Sequence, residues 1–237
     1  MRSNPYNIVK DFEKALCEYT GAKYAVTTTS CTMALLLAVA WHLSQKDPDH
    51  QKFWWHMRHI KSQRDLYLPT VEIPKRTYIS VPMSIIHAGG HPVFRDENWQ
   101  GAYQLKPLPV WDCARRFTSG MFNNITASEI VLREYGVFGK MQCVSFHWTK
   151  ILAIGQGGAI LHDNDEADEW FRRMRFDGRT AGVEPKNDVF TVVGWHCMMS
   201  PCDAAEGLSR LAVLPDHNAD LPNSDYPDLS QCHLFKT

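Results

Sequence analysis

The sequence has little that would direct it to a nucleic acid, a membrane or an oxidising compartment. Its 237 residues carry 25 basic and 26 acidic side chains, so the formal net charge of −1 favours neither nucleic acid nor a membrane surface as a partner. The longest apolar stretch, residues 33–41, is much shorter than the roughly 20 residues of a membrane-spanning helix. The polar first residues lead straight into an amphipathic pattern, which is not the pattern of a secretory signal peptide.

Paired-cysteine motifs are also missing. The seven cysteines are an odd number and no two have the CxxC spacing, so we expect free thiols in a reducing cytoplasm. A metal site built from cysteines and the 11 histidines stays an alternative, with His56 and His59 one turn apart on a predicted helix. Because no spacing matches a standard zinc pattern, structural histidines are favoured and no metal is expected.

Short apolar runs alternate with amphipathic stretches over most of the chain. Strands are predicted at residues 24–28, 66–69, 91–96, 109–113, 141–146 and 159–162. This alternation is typical of an α/β fold, and we expect a three-layer sandwich with a mostly parallel central sheet over residues 1–214. Pro215, Pro222 and Pro227 then interrupt an acidic tail, so residues 215–237 are expected to form an extended arm.

A lysine follows one of the predicted strands at a position suited to chemistry. Lys150 ends the stretch 145–150, and the glycine-rich stretch 155–158 comes soon after. Loops beyond the carboxyl ends of strands are where open α/β sheets bind ligands. A lysine amine forms a Schiff base with a carbonyl when burial and neighbouring charges lower its pKa. Taken alone, a solvated surface lysine and a tight glycine turn explain the same residues.

Two further polar groups follow predicted strands. Asp112 ends an apolar strand, where a buried carboxylate could keep a pyridine nitrogen protonated, cap a helix or form a structural ion pair. Ser30, Cys31 and Thr32 precede an apolar helix, whose first N–H groups and dipole suit a phosphate. A plain helix cap by Ser30 or Thr32 is the alternative.

In order and together, these stretches resemble the DegT/DnrJ/EryC1/StrS family of fold-type I nucleotide-sugar aminotransferases, which depend on pyridoxal 5′-phosphate (PLP). The resemblance runs from about residue 12 to about residue 214, and the lysine motif is its most specific part. It is carried by residues 19–26, 30–35, 77–78, 88–94, 112–114, 145–150, 155–159 and 199–208.

The resemblance implies a role for each matching residue. Lys150 matches the lysine that forms the Schiff base and shuttles the proton, and Asp112 matches the partner of the pyridinium nitrogen. Tyr78 matches the aromatic residue that stacks on the cofactor ring. The remaining matches concern the cofactor phosphate: Cys31 and Thr32 stand in place of a Gly-Thr pair that offers N–H groups, and Ser145 in place of a hydroxyl.

The sequence also departs from the family. Arg115 stands where the family has glutamine or histidine beside the cofactor, and both Arg115 and Arg116 could bind an anion or be surface charges. His196 stands where a family asparagine reaches the cofactor phosphate of the partner subunit, so a homodimer with shared active sites is implied. An apolar helical face with Phe53, Met57 and Ile60 would serve that contact or the core.

Segments of the family fold are missing from the chain. Only 15 residues, 97–111, separate Asp96 from Asp112, which is too few for a whole strand–helix unit in a Gly- and Pro-rich stretch. The small C-terminal domain, which normally helps to form the sugar-nucleotide site, is replaced by the arm.

The resemblance thus implies a cytoplasmic aminotransferase that acts on small molecules. It would move an amino group from glutamate to a keto-sugar nucleotide by way of a Schiff base on Lys150. The alternative is a catalytically reduced homologue that binds PLP or a partner protein in a regulatory or structural role. Cys31 in place of glycine, Met198 in place of a family arginine and the missing segments favour this alternative, whereas the retention of Lys150, Asp112 and Ser145 opposes it.

Overall fold

The structure is a computed structural model, and it describes residues 4–46, 68–125, 139–222 and 225–235. Its helices are α1 (Asn7–Thr20), α2 (Cys31–Lys46), α3 (Ser80–His87), α4 (Met121–Asn124), α5 (Asp165–Met174) and α6 (Pro201–Leu211). Its strands are β1 (Tyr24–Thr28), β2 (Thr70–Pro74), β3 (His91–Arg95), β4 (Tyr103–Gln104), β5 (Val110–Asp112), β6 (Met141–Ser145) and β7 (Gly158–His162). The predicted strand at 66–69 was misplaced, because residues 68 and 69 precede β2 as loop and 66 and 67 lie outside the described residues.

The fold is of the α/β class, but the main sheet is not mostly parallel. Its strand order is β1-β7-β6-β5-β4, and in the described residues only the β5–β6 pair is parallel. The prediction of a mostly parallel sheet was therefore wrong, and the connections explain why. A parallel return needs a crossover, usually a helix, whereas residues 146–157 join β6 to β7 without one and residues 105–109 join β4 to β5 as a hairpin.

A second, two-stranded sheet lies beside the first. Strands β2 and β3 are parallel, and α3 forms the crossover between them. Two backbone hydrogen bonds link this sheet to the hairpin, from Glu72 N to Lys106 O at 2.6 Å and from Lys106 N to Glu72 O at 3.0 Å. The short segment 97–111 therefore contains a hairpin that bridges the two sheets.

Helices cover both faces of the main sheet, which gives three layers. One core contains α2, α5 and the side chains of Val26, Cys143 and Ile160. The other contains α1, α6 and the side chains of the neighbouring sheet positions, such as Ala25 and Val144. This alternation between neighbours follows from the period of two in a strand. Helix α2 is buried along 34–41, as its nearly uniform apolar sequence predicts.

Side-chain caps mark the beginnings of α2 and α6. The Ser200 hydroxyl accepts a hydrogen bond from Asp203 N at 3.1 Å and so caps the start of α6. The Ser30 hydroxyl accepts from Met33 N at 3.2 Å, so α2 begins at Cys31 rather than near Met33 as predicted. The amides of Cys31 and Thr32 consequently lie in the first turn of a helix.

After α6 the chain turns back over the surface. Residues 215–222 and 225–235 hold only two short 3₁₀ turns, Leu229–Gln231 and His233–Phe235. The predicted helix with Phe53, Met57 and Ile60, and the pair His56 and His59, lie outside the described residues. Among the helices that are described, none is long and apolar enough to cross a membrane.

Candidate active site

A cavity of about 410 Å³ opens where the start of α2, the end of β5 and the loop after β6 meet. This size is within the usual range for small-molecule sites. Seven of the eight predicted site residues line it, although they come from four separate parts of the chain: Cys31, Thr32, Tyr78, Asp112, Arg115, Ser145 and Lys150.

The loop between β6 and β7 presents Lys150 to the cavity. Backbone hydrogen bonds close this loop, including Phe146 N to Gly157 O at 2.9 Å and Lys150 N to His147 O at 2.8 Å. Gly157 has a φ of +138°, which a residue with a Cβ rarely adopts. The backbone of Lys150 is thus held by hydrogen bonds within this loop.

Gly158 allows β7 to approach the start of α2. A Cβ on Gly158 would lie 2.4 Å from the nitrogen of Cys31, closer than two such atoms can come. The glycine-rich stretch therefore does more than make a tight turn, because it brings the lysine loop against the helix N-terminus.

Lys150 is partly buried, and its surroundings make the ammonium form less stable than it is in water. Burial is the main cause that lowers the pKa of Lys150, and the positive charge of Arg115 lowers it further. The negative charge of Asp112 acts in the opposite direction without reversing the shift. A neutral lysine amine is the form that attacks a carbonyl.

Asp112 ends β5 with its carboxylate buried and hydrogen-bonded. Oδ1 accepts from Ala114 N at 2.9 Å and Oδ2 accepts from the Tyr103 hydroxyl at 2.8 Å. Burial raises the pKa of Asp112 above its usual value. These two hydrogen bonds and the charges of Lys150 and Arg115 oppose the rise but do not reverse it. The carboxylate faces the same cavity as Lys150.

The start of α2 and the end of β6 form a polar part of the cavity wall. The amides of Cys31 and Thr32 belong to the first helical turn, where N–H groups have no partner within the helix. Burial raises the pKa of the Cys31 thiol well above its usual range, so the thiol stays neutral. The Thr32 hydroxyl donates to Ser80 Oγ at 2.9 Å, and Ser145 also lines the cavity.

The structure separates the roles of the two arginines. Arg116 forms two hydrogen bonds with the Asp220 carboxylate, at 2.9 and 2.6 Å, and is occupied by this ion pair. Arg115 lines the cavity and donates to Pro222 O and, at 3.4 Å, to the Tyr226 hydroxyl. Residues from the arm thereby hold Arg115 at the site.

Several cavity residues were not predicted from the sequence. Trp99 and Tyr226 stack with their rings 6.4 Å apart and 13° from parallel, and Tyr226 meets the exposed Tyr78 edge-on at 6.4 Å. Tyr103, behind Asp112, was also missed. A local pattern could not have found these residues, because each reaches the site through contacts with distant parts of the chain.

His196 is the predicted site residue that the structure places elsewhere. Its Nδ1 lies 2.8 Å from Asp177 Oδ2, and its side chain lines a second cavity of about 700 Å³ with Glu13 and Arg175. It does not contact the Lys150 cavity of its own chain, so the contact with a partner subunit's cofactor stays a prediction.

The sequence profile of the DegT/DnrJ/EryC1/StrS aminotransferase family matches residues 2–50 and 108–221, more than half of the chain. The chain belongs to this family. It is 26% identical over 243 residues to GDP-perosamine synthase of Caulobacter vibrioides, covering 89% of this chain and 58% of that protein. It is 25% identical over 229 residues to UDP-4-amino-4,6-dideoxy-N-acetyl-beta-L-altrosamine transaminase of Campylobacter jejuni, covering 90% and 58%.

The fold has a match among solved structures. The crystal structure of NtdA from Bacillus subtilis with bound cofactor PMP aligns with a TM-score of 0.60 and 19% identity, over 90% of this chain and 49% of that one. This likeness establishes the fold. The chain spans a little over half the length of the two curated relatives.

The cavity suits PLP, the cofactor of this family. PLP needs an amine for its aldehyde, an anionic partner for its ring nitrogen and hydrogen-bond donors for its phosphate. The cavity offers Lys150, the buried Asp112 carboxylate, and the start of α2 with Ser145. The Cys31 side chain is buried and lines the cavity at the start of α2, where the resemblance implies a glycine.

Proposed function

We propose that this protein is a PLP-dependent aminotransferase that moves an amino group from glutamate to a keto-sugar nucleotide. The observation that carries the proposal is the convergence of Lys150, Asp112 and the start of α2 on one cavity from distant parts of the chain. Its membership of an aminotransferase family and the names of its relatives, one a GDP-perosamine synthase and the other a UDP-sugar transaminase, support the same reading.

Each group has a distinct task in this proposal. When bound, PLP supplies an aldehyde that condenses with amines and a ring that withdraws electrons from the substrate. Lys150 would hold the cofactor through its amine. After the amino donor displaces that amine, Nζ would move a proton from the substrate carbon to the carbon of the cofactor's former aldehyde. Asp112 keeps the ring nitrogen protonated, and the amides of Cys31 and Thr32 with the Ser145 hydroxyl hold the phosphate.

The architecture of the family supports a homodimer with shared sites. His196 is exposed and turned away from the cavity of its own chain, as a residue that serves a partner subunit would be. Free thiols at all seven cysteines suit a cytoplasmic enzyme.

A second candidate function is a homologue that binds PLP or a partner without catalysis. It is favoured by Cys31, which stands at the phosphate position where the resemblance implies a glycine. The two proposals differ in whether an amino donor changes the state of the bound cofactor.

The test is a titration of the purified protein with PLP, followed by visible absorption. We expect a Schiff-base band in the wild type and none in Lys150→Ala, with Lys140→Ala as the matched control that keeps the band. Glutamate should then bleach the band, and a keto-sugar nucleotide should restore it. A stable band that no amino donor changes would favour the non-catalytic homologue, and no band at all would refute both uses of PLP.

A further inference from the structure

The β4–β5 hairpin places Tyr103 directly opposite Asp112. The two residues are register partners in an antiparallel pair, so their side chains project from the same face of the sheet. Tyr103 is buried with 3% of its surface exposed, and its ring packs edge-on against Trp99 at 4.7 Å. The hairpin thus holds the Tyr103 hydroxyl beside the carboxylate of the neighbouring strand.

The direction of the hydrogen bonds follows from counting protons. The Tyr103 hydroxyl has one proton, and it donates this proton to Asp112 Oδ2 at 2.8 Å. The Thr77 hydroxyl lies 2.5 Å from the Tyr103 oxygen and must therefore be the donor in that contact. The result is a buried relay in which Thr77 donates to Tyr103 and Tyr103 donates to Asp112.

The relay connects two sides of the site. Thr77 precedes Tyr78, the predicted ring-stacking residue, and both line the cavity. Tyr103 is not among the cavity-lining residues, so an effect of its hydroxyl on a ligand must pass through Asp112 or Thr77, the two groups to which the hydroxyl is hydrogen-bonded. Two of the carboxylate's lone-pair positions are used by Tyr103 and Ala114, and others remain for a donor in the cavity.

We propose that Tyr103 is a positioning residue, which fixes the orientation of the Asp112 carboxylate toward the ring nitrogen of the cofactor. This inference rests on the proposed function, since it assumes that PLP occupies the cavity. The physical basis is that a hydrogen-bond donor stabilises the ionised carboxylate against burial. Without this hydrogen bond the pKa of Asp112 would rise, so less of the carboxylate would be ionised. The side chain would also rotate more freely, and its contact with the ring nitrogen would weaken.

The experiment compares the dissociation constants of PLP and its 1-deaza analogue, in which C–H replaces the ring nitrogen, by equilibrium dialysis. In the wild type we expect PLP to bind more tightly, because only PLP can pair with Asp112. In Tyr103→Phe this preference should fall by about tenfold, the size of a hydrogen bond to a charged group. Asp112→Asn should show a similar or larger fall.

Tyr19→Phe is the matched control. It also removes one tyrosine hydroxyl, which donates to Pro215 O at 2.6 Å, and Tyr19 does not line the Lys150 cavity. Its preference for PLP should equal that of the wild type. If Tyr103→Phe shows no thermal unfolding transition, Thr77→Val takes its place. This variant removes the hydrogen-bond donor to Tyr103 and should also lower the preference for PLP over the 1-deaza analogue.

The outcomes distinguish the inference from the proposed function. A wild type that prefers PLP and a folded Tyr103→Phe with the same preference would overturn the role of Tyr103 alone. A wild type that binds both compounds equally would overturn the pairing between Asp112 and the ring nitrogen, and the inference with it. Failure of the wild type to bind either compound would overturn the proposed function.

Discussion

At the scale of single residues, the site depends on the balance of charges around one amine. Burial lowers the pKa of Lys150 most, the cation Arg115 in the same cavity lowers it further, and the anion Asp112 acts against both. A lysine in such surroundings is available as a neutral nucleophile at lower pH than a lysine in water. Arg115 stands where the resemblance implies an uncharged or weakly basic residue, so it adds a positive charge that lowers the pKa of Lys150.

We predict that Arg115→Gln shifts Schiff-base formation to higher pH. Since the charge of Arg115 lowers the pKa of Lys150, its removal should raise that pKa and leave less neutral amine at a given pH. The measurement is a pH titration of the visible band at saturating PLP. Arg210→Gln is the control, because Arg210 pairs with Glu206 on α6 and does not line the cavity, so the midpoint should stay unchanged. A midpoint that stays or falls in Arg115→Gln would contradict the prediction.

At the scale of elements, close packing between a strand and a helix end builds the cavity wall. Strand β7 begins at Gly158, directly against Ser30 and Cys31 at the start of α2. The same glycine lets β7 pair with β1 and β6, and so keeps the lysine loop beside the helix. The stability of the sheet and the geometry of the site therefore both depend on the lack of a Cβ at Gly158.

Gly158→Ala should destabilise the protein by about 3 kcal/mol, because overpacking a close contact costs roughly 1–3 kcal/mol and the neighbouring atoms here are backbone. Gly120→Ala is the matched control: its Cβ would meet no atom within 4 Å, and its φ of +66° should cost only about 1 kcal/mol. Urea unfolding followed by circular dichroism measures both. Equal losses in the two variants would contradict the role of the close approach.

At the scale of the whole molecule, the C-terminal arm packs on the rest of the chain and reaches the Lys150 cavity. Asp220 pairs with Arg116, Leu229 is buried with 3% of its surface exposed, and Phe235 packs against Phe94 at 5.6 Å. Between these anchors Tyr226 lines the Lys150 cavity of its own chain. The arm should therefore influence the ligand as well as the fold.

Asp220→Ala should loosen the arm and weaken PLP binding severalfold, because it removes the two charge-assisted hydrogen bonds to Arg116. Limited proteolysis reports the release of the arm, and equilibrium dialysis reports the affinity. The exposed Asp225→Ala provides a control in the same arm. If proteolysis of Asp220→Ala accelerates while PLP affinity stays constant, the arm does not contribute to the site.

Much of the site could be predicted because its groups follow strands or begin helices. Asp112 and Lys150 stand just after apolar runs, and Ser30 is a cap residue before an apolar helix, so each carries a local signal. Arg115 and Arg116 carry no such signal that separates them, because only the position of Asp220, 104 residues away, decides which arginine is engaged. Tyr103 was missed for the same reason.

The sequence by itself determined the α/β class, the family and the order of the site residues along the chain, since these follow from periodicity and motif spacing. Only the tertiary structure decided the antiparallel run of β7 and β4, the relay from Thr77 to Asp112 and the position of Tyr226. The physical reason is that strand direction depends on the connections, and contacts between distant residues depend on how the packed layers bring them together.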